Sequence, residues 1–249
     1  APKIPGVQHR YAVAGSYDNG MHLIDISDPR NPKLTGRYDC GISQGDVQVF
    51  TRGKRTLATY TMDAGYTLQE ESACVREAKA LGLFEPTTSH PLDIDPIGAI
   101  APDSAYGRAG IGTYIVDITD PTRPTTVSFV GVPKGSHNQT VHPSGDYLYN
   151  SNSQLYTTAL NAGIEVYDIR DLAAPRLAAV LPLPPVPGLG SESHDITFNE
   201  QGTRAYSAAL SHTAIIDTTV VDRPEIISTN VDPTINVHHQ STKVTLTDA

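Results

Sequence analysis

The chain has no tryptophan, only two cysteines, and 18 lysines and arginines against 27 aspartates and glutamates. Without tryptophan, no repeat can be built on a Trp-Asp pair. A formal net charge of −9 argues against nucleic-acid or anionic-membrane partners, because either would need a basic face. No run is long and apolar enough to insert across a bilayer. Gly15-Ser16 and Gly135-Ser136 lack the surroundings of a hydrolase nucleophile. No glycine-rich loop opens a helix as phosphate binding requires, and Asp93-x-Asp95 alone is too sparse for a calcium loop.

What is present is an internal repeat. Four times an Asp is followed seven residues later by a Pro, in the pairs Asp25/Pro32, Asp117/Pro124, Asp168/Pro175 and Asp217/Pro224. The surrounding text nearly repeats, as GMHLIDISDPRNPKLTG, GTYIVDITDPTRPTTVSFVG, GIEVYDIRDLAAPRLAAV and HTAIIDTTVVDRPEIIS. Within residues 137–182, His142-Pro143-Ser144-Gly145-Asp146 is a turn between two short strands. A third strand runs over 164–169 and a fourth over 176–181. Four antiparallel strands in about 50 residues make a propeller blade. The repeated Asp residues are expected to accept backbone N–H bonds in their own turns, with the later Pro admitting the outer edge strand.

The reading is an all-β, single-domain propeller over residues 1–249. If the chain is intact, its last strand, over 238–246, joins the first three to complete one of four blades. If it is a fragment, the full molecule has more. The Asp positions are spaced 92, 51 and 49 apart, so one unit carries an insertion, placed at 63–110. Thr67-Leu68-Gln69-Glu70 has the capping-box pattern, followed by helix formers to a stop at Leu81-Gly82; 86–102 is a proline-rich loop. The insertion is expected over the axial face, as a lid or binding element. Cys74 falls in this helix and Cys40 just before the innermost strand of the same blade, which predicts a Cys40–Cys74 disulfide; two buried thiols are the alternative.

The phrases LIDISDP, YIVDITDP and VYDIRD resemble the LVIVD repeat, a family of bacterial surface or secreted β-propellers. A fainter likeness, in SHDITF and the following G-x-R-x-Y strand, is to the selenium-binding protein and methanethiol oxidase propellers. The resemblance implies the propeller fold and export, and no single activity. Composition and an even cysteine count also suit a secreted, periplasmic or cell-surface protein, and the start at Ala1-Pro2 without Met is that expected of a processed or engineered chain.

Counting forward from each marked Pro to the next innermost strand reaches Asp46, His137, His194 and His238. His137-Asn138-Gln139-Thr140 and His238-His239-Gln240-Ser241 share a His-x-Gln-hydroxyl pattern. Equivalent residues of successive blades converge on the axial channel. Three imidazoles and a carboxylate suit a divalent transition metal: zinc, copper, iron or manganese. If the register slips by one, His239 replaces His238. Alternatively, these histidines close the strand ends through backbone carbonyls and water. His212, at a strand junction on the same face, is a candidate acid/base group or a surface-turn histidine. His9, His22, His90 and His142 read as structural or solvated.

Three functions are compatible with this pattern. One is a secreted protein that binds a metal and, on its axial face, a small-molecule or protein ligand. The second is a metal-dependent oxidase, hydrolase or lyase using the same histidines. The third is a metal-free interaction scaffold. The sequence carries no signal for oligomeric state.

Overall fold

A computed structural model describes residues 9–16, 19–40, 44–62, 72–83, 112–132, 136–151, 163–184, 192–235 and 237–245. The protein is an all-β propeller, with four antiparallel sheets among the described residues. The first has three strands: β1 (Tyr11–Ser16), β2 (Gly20–Asp25) and β3 (Lys33–Tyr38). The second contains β4 (Gln44–Arg52), β5 (Arg55–Met62), β6 (Gly112–Asp117) and β7 (Thr125–Gly131). The third contains β8 (Asn138–Val141), β9 (Tyr147–Ser151), β10 (Gly163–Asp168) and β11 (Arg176–Pro182). The fourth contains β12 (Asp195–Phe198), β13 (Arg204–Ala209), β14 (His212–Asp217) and β15 (Glu225–Asn230). Within every sheet each strand pairs with the next in sequence, so the blades are successive meanders.

The Asp-to-Pro spacing measures the hairpin into the outer strand. Each marked Asp pairs with the residue after its Pro: Asp25 with Lys33, Asp117 with Thr125, Asp168 with Arg176 and Asp217 with Glu225. Each Asp Oδ1 accepts the backbone N–H two residues on, from Ser27, Thr119, Arg170 and Thr219 at 2.8, 2.9, 3.1 and 2.9 Å. A second side-chain bond of this kind tightens three of the turns, at Asp28, Asp120 and Asp171. The fourth repeat has Val220 there and keeps only the backbone bond to Arg223. A register shift recurs just before each Asp, at 23/24, 115/116, 166/167 and 215/216. Such bulges bend the edge strand and increase its twist.

Asp168 is the most heavily bonded of the set. It is nearly buried and accepts from Arg170 and Arg176 as well as its own turn. The Arg170 hydrogen bond, first among these interactions, holds its carboxyl well below the usual range. A depressed folded-state value contributes stability above the unfolded value near 4 and loses it as pH falls below that. Asn at this position keeps the turn acceptor and removes the charge. Asp168→Asn is therefore expected to cost about 1–2 kcal/mol at pH 7, with both arginines largely exposed. As pH falls toward the depressed folded value the gap should narrow, which denaturant titrations at pH 7 and pH 2.5 would read as a smaller difference in acid; an equal gap at both pH values would discount the charge.

The core lies between blades. Met21, Leu23, Tyr38, Tyr60 and Tyr114 join the first blade to the second; Leu57, Ile115, Leu148 and Ile169 join the second to the third; Tyr149, Ile164, Val166, Ile196 and Ile216 join the third to the fourth. These are the apolar faces that alternation along the strands predicts. Among the described residues no apolar cluster joins the fourth blade to the first.

Two expectations about the ends and the insertion change. The C-terminal segment is not a strand over 238–245; it makes one isolated bridge, His238 to Leu210, and among the described residues the first sheet has three strands. Its contacts are with the fourth blade, where Thr197 Oγ1 donates to the Ser241 carbonyl. The helix α1 (Ala73–Ala80) ends at Leu81 with Gly82 at φ 67°, as the sequence stop predicts. It lies beside outer strands: the Cys74 N–H donates to Asp39 O, and Glu77 accepts from the Thr126 N–H and hydroxyl on β7. The expected disulfide is present between Cys40 and Cys74. Thr67–Glu70, the loop over 86–102, His90, Asp93 and Asp95 lie outside the described residues.

Candidate functional site

Ladder register assigns equivalent positions without reference to sequence spacing. The residues three before the marked Asp, Tyr114, Glu165 and Ala214, face Tyr60, Asn150 and Ser207 on the second strands. Those in turn face Val47, Gln139 and Ile196 on the innermost strands. Two residues earlier stand His137 and His194, and one residue earlier Asn138 and Asp195; in β4 the register shift leaves Gln44 opposite Met62, so Gly45 and Asp46 share the step of Asn138 and Asp195. Asp46 therefore occupies the row of Asn138 and Asp195, one step from the histidines. The irregularity between Gln44 and Val47, with Gly45 at φ 76°, lies at this point in β4.

The same logic places the C-terminal segment. Thr140 Oγ1 donates to Ile196 O at 2.7 Å, and its equivalent Thr197 donates to Ser241 O, so Ser241 is level with Ile196. Two residues earlier is His239, not His238. Ring geometry agrees. His137 Nε2 and His194 Nε2 are 3.0 Å apart, and the His194 and His239 ring centroids are 3.9 Å apart. His137, His194 and His239 thus form one cluster, while His238 turns away, its Nδ1 3.0 Å from Thr213 Oγ1. Among the described residues no three His, Cys, Asp or Glu side chains already stand as a ready-made metal cage.

The row beneath is acidic and largely enclosed. Asp46 Oδ2 accepts from the Gln139 N–H and side-chain amide, each at 3.2 Å. Burial pushes its carboxyl up to about 6; the charge of Asp195 adds to this, and that of His137 opposes it. Burial also raises Asp195, against hydrogen bonds from Asn138 and Gln240 and the charge of His239. Two carboxylates held partly out of water beside imidazoles form a region of negative potential that favours a cation.

Several members of this arrangement escaped the sequence reading. Ser136 and Ser193 immediately precede His137 and His194 and are buried. Ser136 Oγ bonds Thr61 Oγ1, and Ser193 Oγ lies 2.9 Å from Ser151 Oγ and 2.8 Å from Ser207 Oγ. Each hydroxyl ties the entry of an innermost strand to the preceding blade. The repeated Ser-His dipeptide was the available signal. Asp195 could have been found as the residue after His194 once Asp46 was placed in the lower row.

His212 is fully buried at the start of β14, with Nδ1 3.1 Å from Ser211 Oγ. Burial, followed by the charge of His238, lowers its pKa. His142 bridges the third and fourth blades, its Nε2 2.9 Å from Gly202 O, and His9 Nδ1 is 3.2 Å from Asp25 Oδ2.

Successive meandering blades define a β-propeller, in which His137, His194 and His239 stand together. The family model of the LVIVD repeat matches residues 7–40, so the chain carries that repeat, and the three later Asp-to-Pro units form the same hairpin. No curated protein matches the sequence. Among solved structures, the chain is similar to a protein from Lactobacillus plantarum, at 13% identity and TM-score 0.46, covering 92% of this chain and 69% of that one. It is also similar to the periplasmic gluconolactonase of Pseudomonas aeruginosa, at 14% identity and TM-score 0.40, covering 91% and 69%. A hypothetical selenium-binding protein from Sulfolobus tokodaii gives 11% identity and TM-score 0.40, covering 93% and 61%.

Proposed function

We propose that this chain is an exported β-propeller binding protein that holds a divalent transition metal through His137 and His194 at the axial channel. The observation that carries the reading is the 3.0 Å separation of their Nε2 atoms. Metal–imidazole bonds of about 2.0–2.1 Å put neighbouring ligand atoms of one coordination shell roughly 3 Å apart. His239, stacked on His194, supplies a third imidazole on a change of rotamer, and Asp46 and Asp195 supply compensating charge from the row beneath. Nitrogen donors with nearby carboxylates suit zinc, copper, iron or manganese rather than calcium. The metal leaves positions for a small-molecule or protein ligand on the axial face. Export is supported by the disulfide, and the net charge of −9 disfavours a nucleic-acid partner.

The test is metal content by mass spectrometry of purified protein, alongside His137→Ala and His194→Ala. About one equivalent is expected in the parent and less than a tenth of that in either variant, because two anchoring donors cannot be halved without losing most of the affinity. Stoichiometric metal surviving both replacements would overturn the assignment of these ligands. A metal-free parent that also fails to bind added zinc or copper leaves the scaffold function.

A further inference from the structure

The molecule holds a second pair of imidazoles that the axial cluster does not use. His212 is 0% exposed and His238 6% exposed. Each has Nδ1 engaged by a hydroxyl, from Ser211 at 3.1 Å and Thr213 at 3.0 Å. Each has a buried Nε2 with no hydrogen-bond partner. Leaving a buried polar nitrogen unpaired costs about 1–3 kcal/mol, so two together call for an explanation.

The local fold brings the two residues to one place. The turn between β13 and β14 passes through Leu210 at φ 52°, an uncommon conformation for a non-glycine residue. Its carbonyl accepts the His238 N–H at 2.6 Å, forming the Leu210–His238 bridge. Thr213, next to His212, holds His238 Nδ1 and also lies 2.8 Å from Ser241 Oγ. The C-terminal segment is thus fastened across the hairpin at the two histidines. Hydroxyl contacts at Nδ1 fix both ring orientations, as outer-sphere hydrogen bonds do for ligating histidines.

We propose that His212 and His238 form a second metal site, taking a soft monovalent d10 cation, copper(I), between their Nε2 atoms. Charge decides the class. Among the described residues no carboxylate is bonded to either ring, and Asp232, whose titration feels His238, has its Oδ1 occupied by Thr234. The hairpin around them presents buried Ala208, Ala209 and Ala214. A divalent ion there would bring two uncompensated charges out of water, whereas a monovalent one brings half of that and accepts two neutral nitrogen ligands.

Silver(I) is a redox-inert probe of this site, and both cysteines are locked in the disulfide, so no thiol competes. Titration with silver(I) should show a tight equivalent in the parent protein and in the His137→Gln/His194→Gln double variant. That equivalent should weaken at least tenfold in His212→Gln and in His238→Gln. Retention in both single variants, or no tight binding in the parent, would overturn the site. Nitrogen NMR of the parent protein covers the case in which a variant does not fold. Silver(I) should then shift Nε2 of His212 and His238; shifts confined to His137, His194 and His239 would assign the ion to the axial cluster instead. Because the double variant removes the axial ligands, failure of this second site and failure of the axial reading are told apart.

Discussion

Reduction of the Cys40–Cys74 disulfide is expected to lower the free energy of unfolding by about 3–4 kcal/mol. The two cysteines are 34 residues apart in sequence, and opening a loop of this size returns that much entropy to the unfolded chain. Both are fully buried, in the apolar cluster that joins the first two blades, beside Tyr38, Val75, Ala78 and Phe129. The native state has other reasons to hold α1 in place: the Cys74 N–H to Asp39 bond and the Glu77 grip on Thr126 survive reduction. Free thiols pack as small apolar groups, so most of the loss should appear through the unfolded state. Urea unfolding with and without a reductant would measure it as a lower midpoint. Cys40→Ala/Cys74→Ala should lose a further increment, because it also deletes two buried sulfurs. A shift below about 1 kcal/mol would mean that the helix and strand contacts already confine this loop in the unfolded ensemble.

The fold was legible because its signals are local. Each Asp and Pro lies within one hairpin, so Asp168 and Pro175 report the turn into β11 whatever the rest of the chain does. Alternation in GIEVYD gives β10 for the same reason. The axial cluster was legible only to within one residue. Counting from Pro reached His137 and His194 correctly as equivalents, since their blades have matching ladders. It placed Asp46 and His238 in the same row, and both lie one step off. For Asp46 the step is absorbed in β4, where the pairing is irregular around Gly45. For His238 the reason is tertiary: the segment is positioned by Thr197 and Leu210 on the fourth blade and not by a ladder of its own. A one-residue error sends side chains to opposite faces of an extended chain, which is why His239 and not His238 meets His194. The position of α1 could not be read because nothing in 73–80 specifies whether its apolar face, Cys74, Val75 and Ala78, packs on the axis or on outer strands. Only the contacts of Glu77 and Cys74 settle it.

Gly15→Ala is expected to destabilise the protein by about 3 kcal/mol, the upper end of the overpacking range, although it adds one methyl group. β1 and β4 approach through glycine backbones: a Cβ built on Gly15 would lie 1.7 Å from the carbonyl oxygen of Gly45. The obstructing atom is main chain, so no side-chain rotation relieves the clash, and the first two blades must separate. Separation acts on Tyr60, fully buried, whose hydroxyl donates to Ser16 O at 2.7 Å across this contact. Gly15→Ala and Tyr60→Phe should therefore be less than additive, since the first already weakens the bond that the second removes. Gly53→Ala is the control. Gly53 has φ 60° but no atom within 4 Å of an added Cβ, so it bears only the backbone penalty of about 1–2 kcal/mol. Gly15 is not among the positive-φ glycines and bears no such penalty, so in denaturant unfolding of both variants a loss at Gly15 clearly exceeding that at Gly53 assigns it to blade contact, and a loss no larger than that at Gly53 would discount the clash.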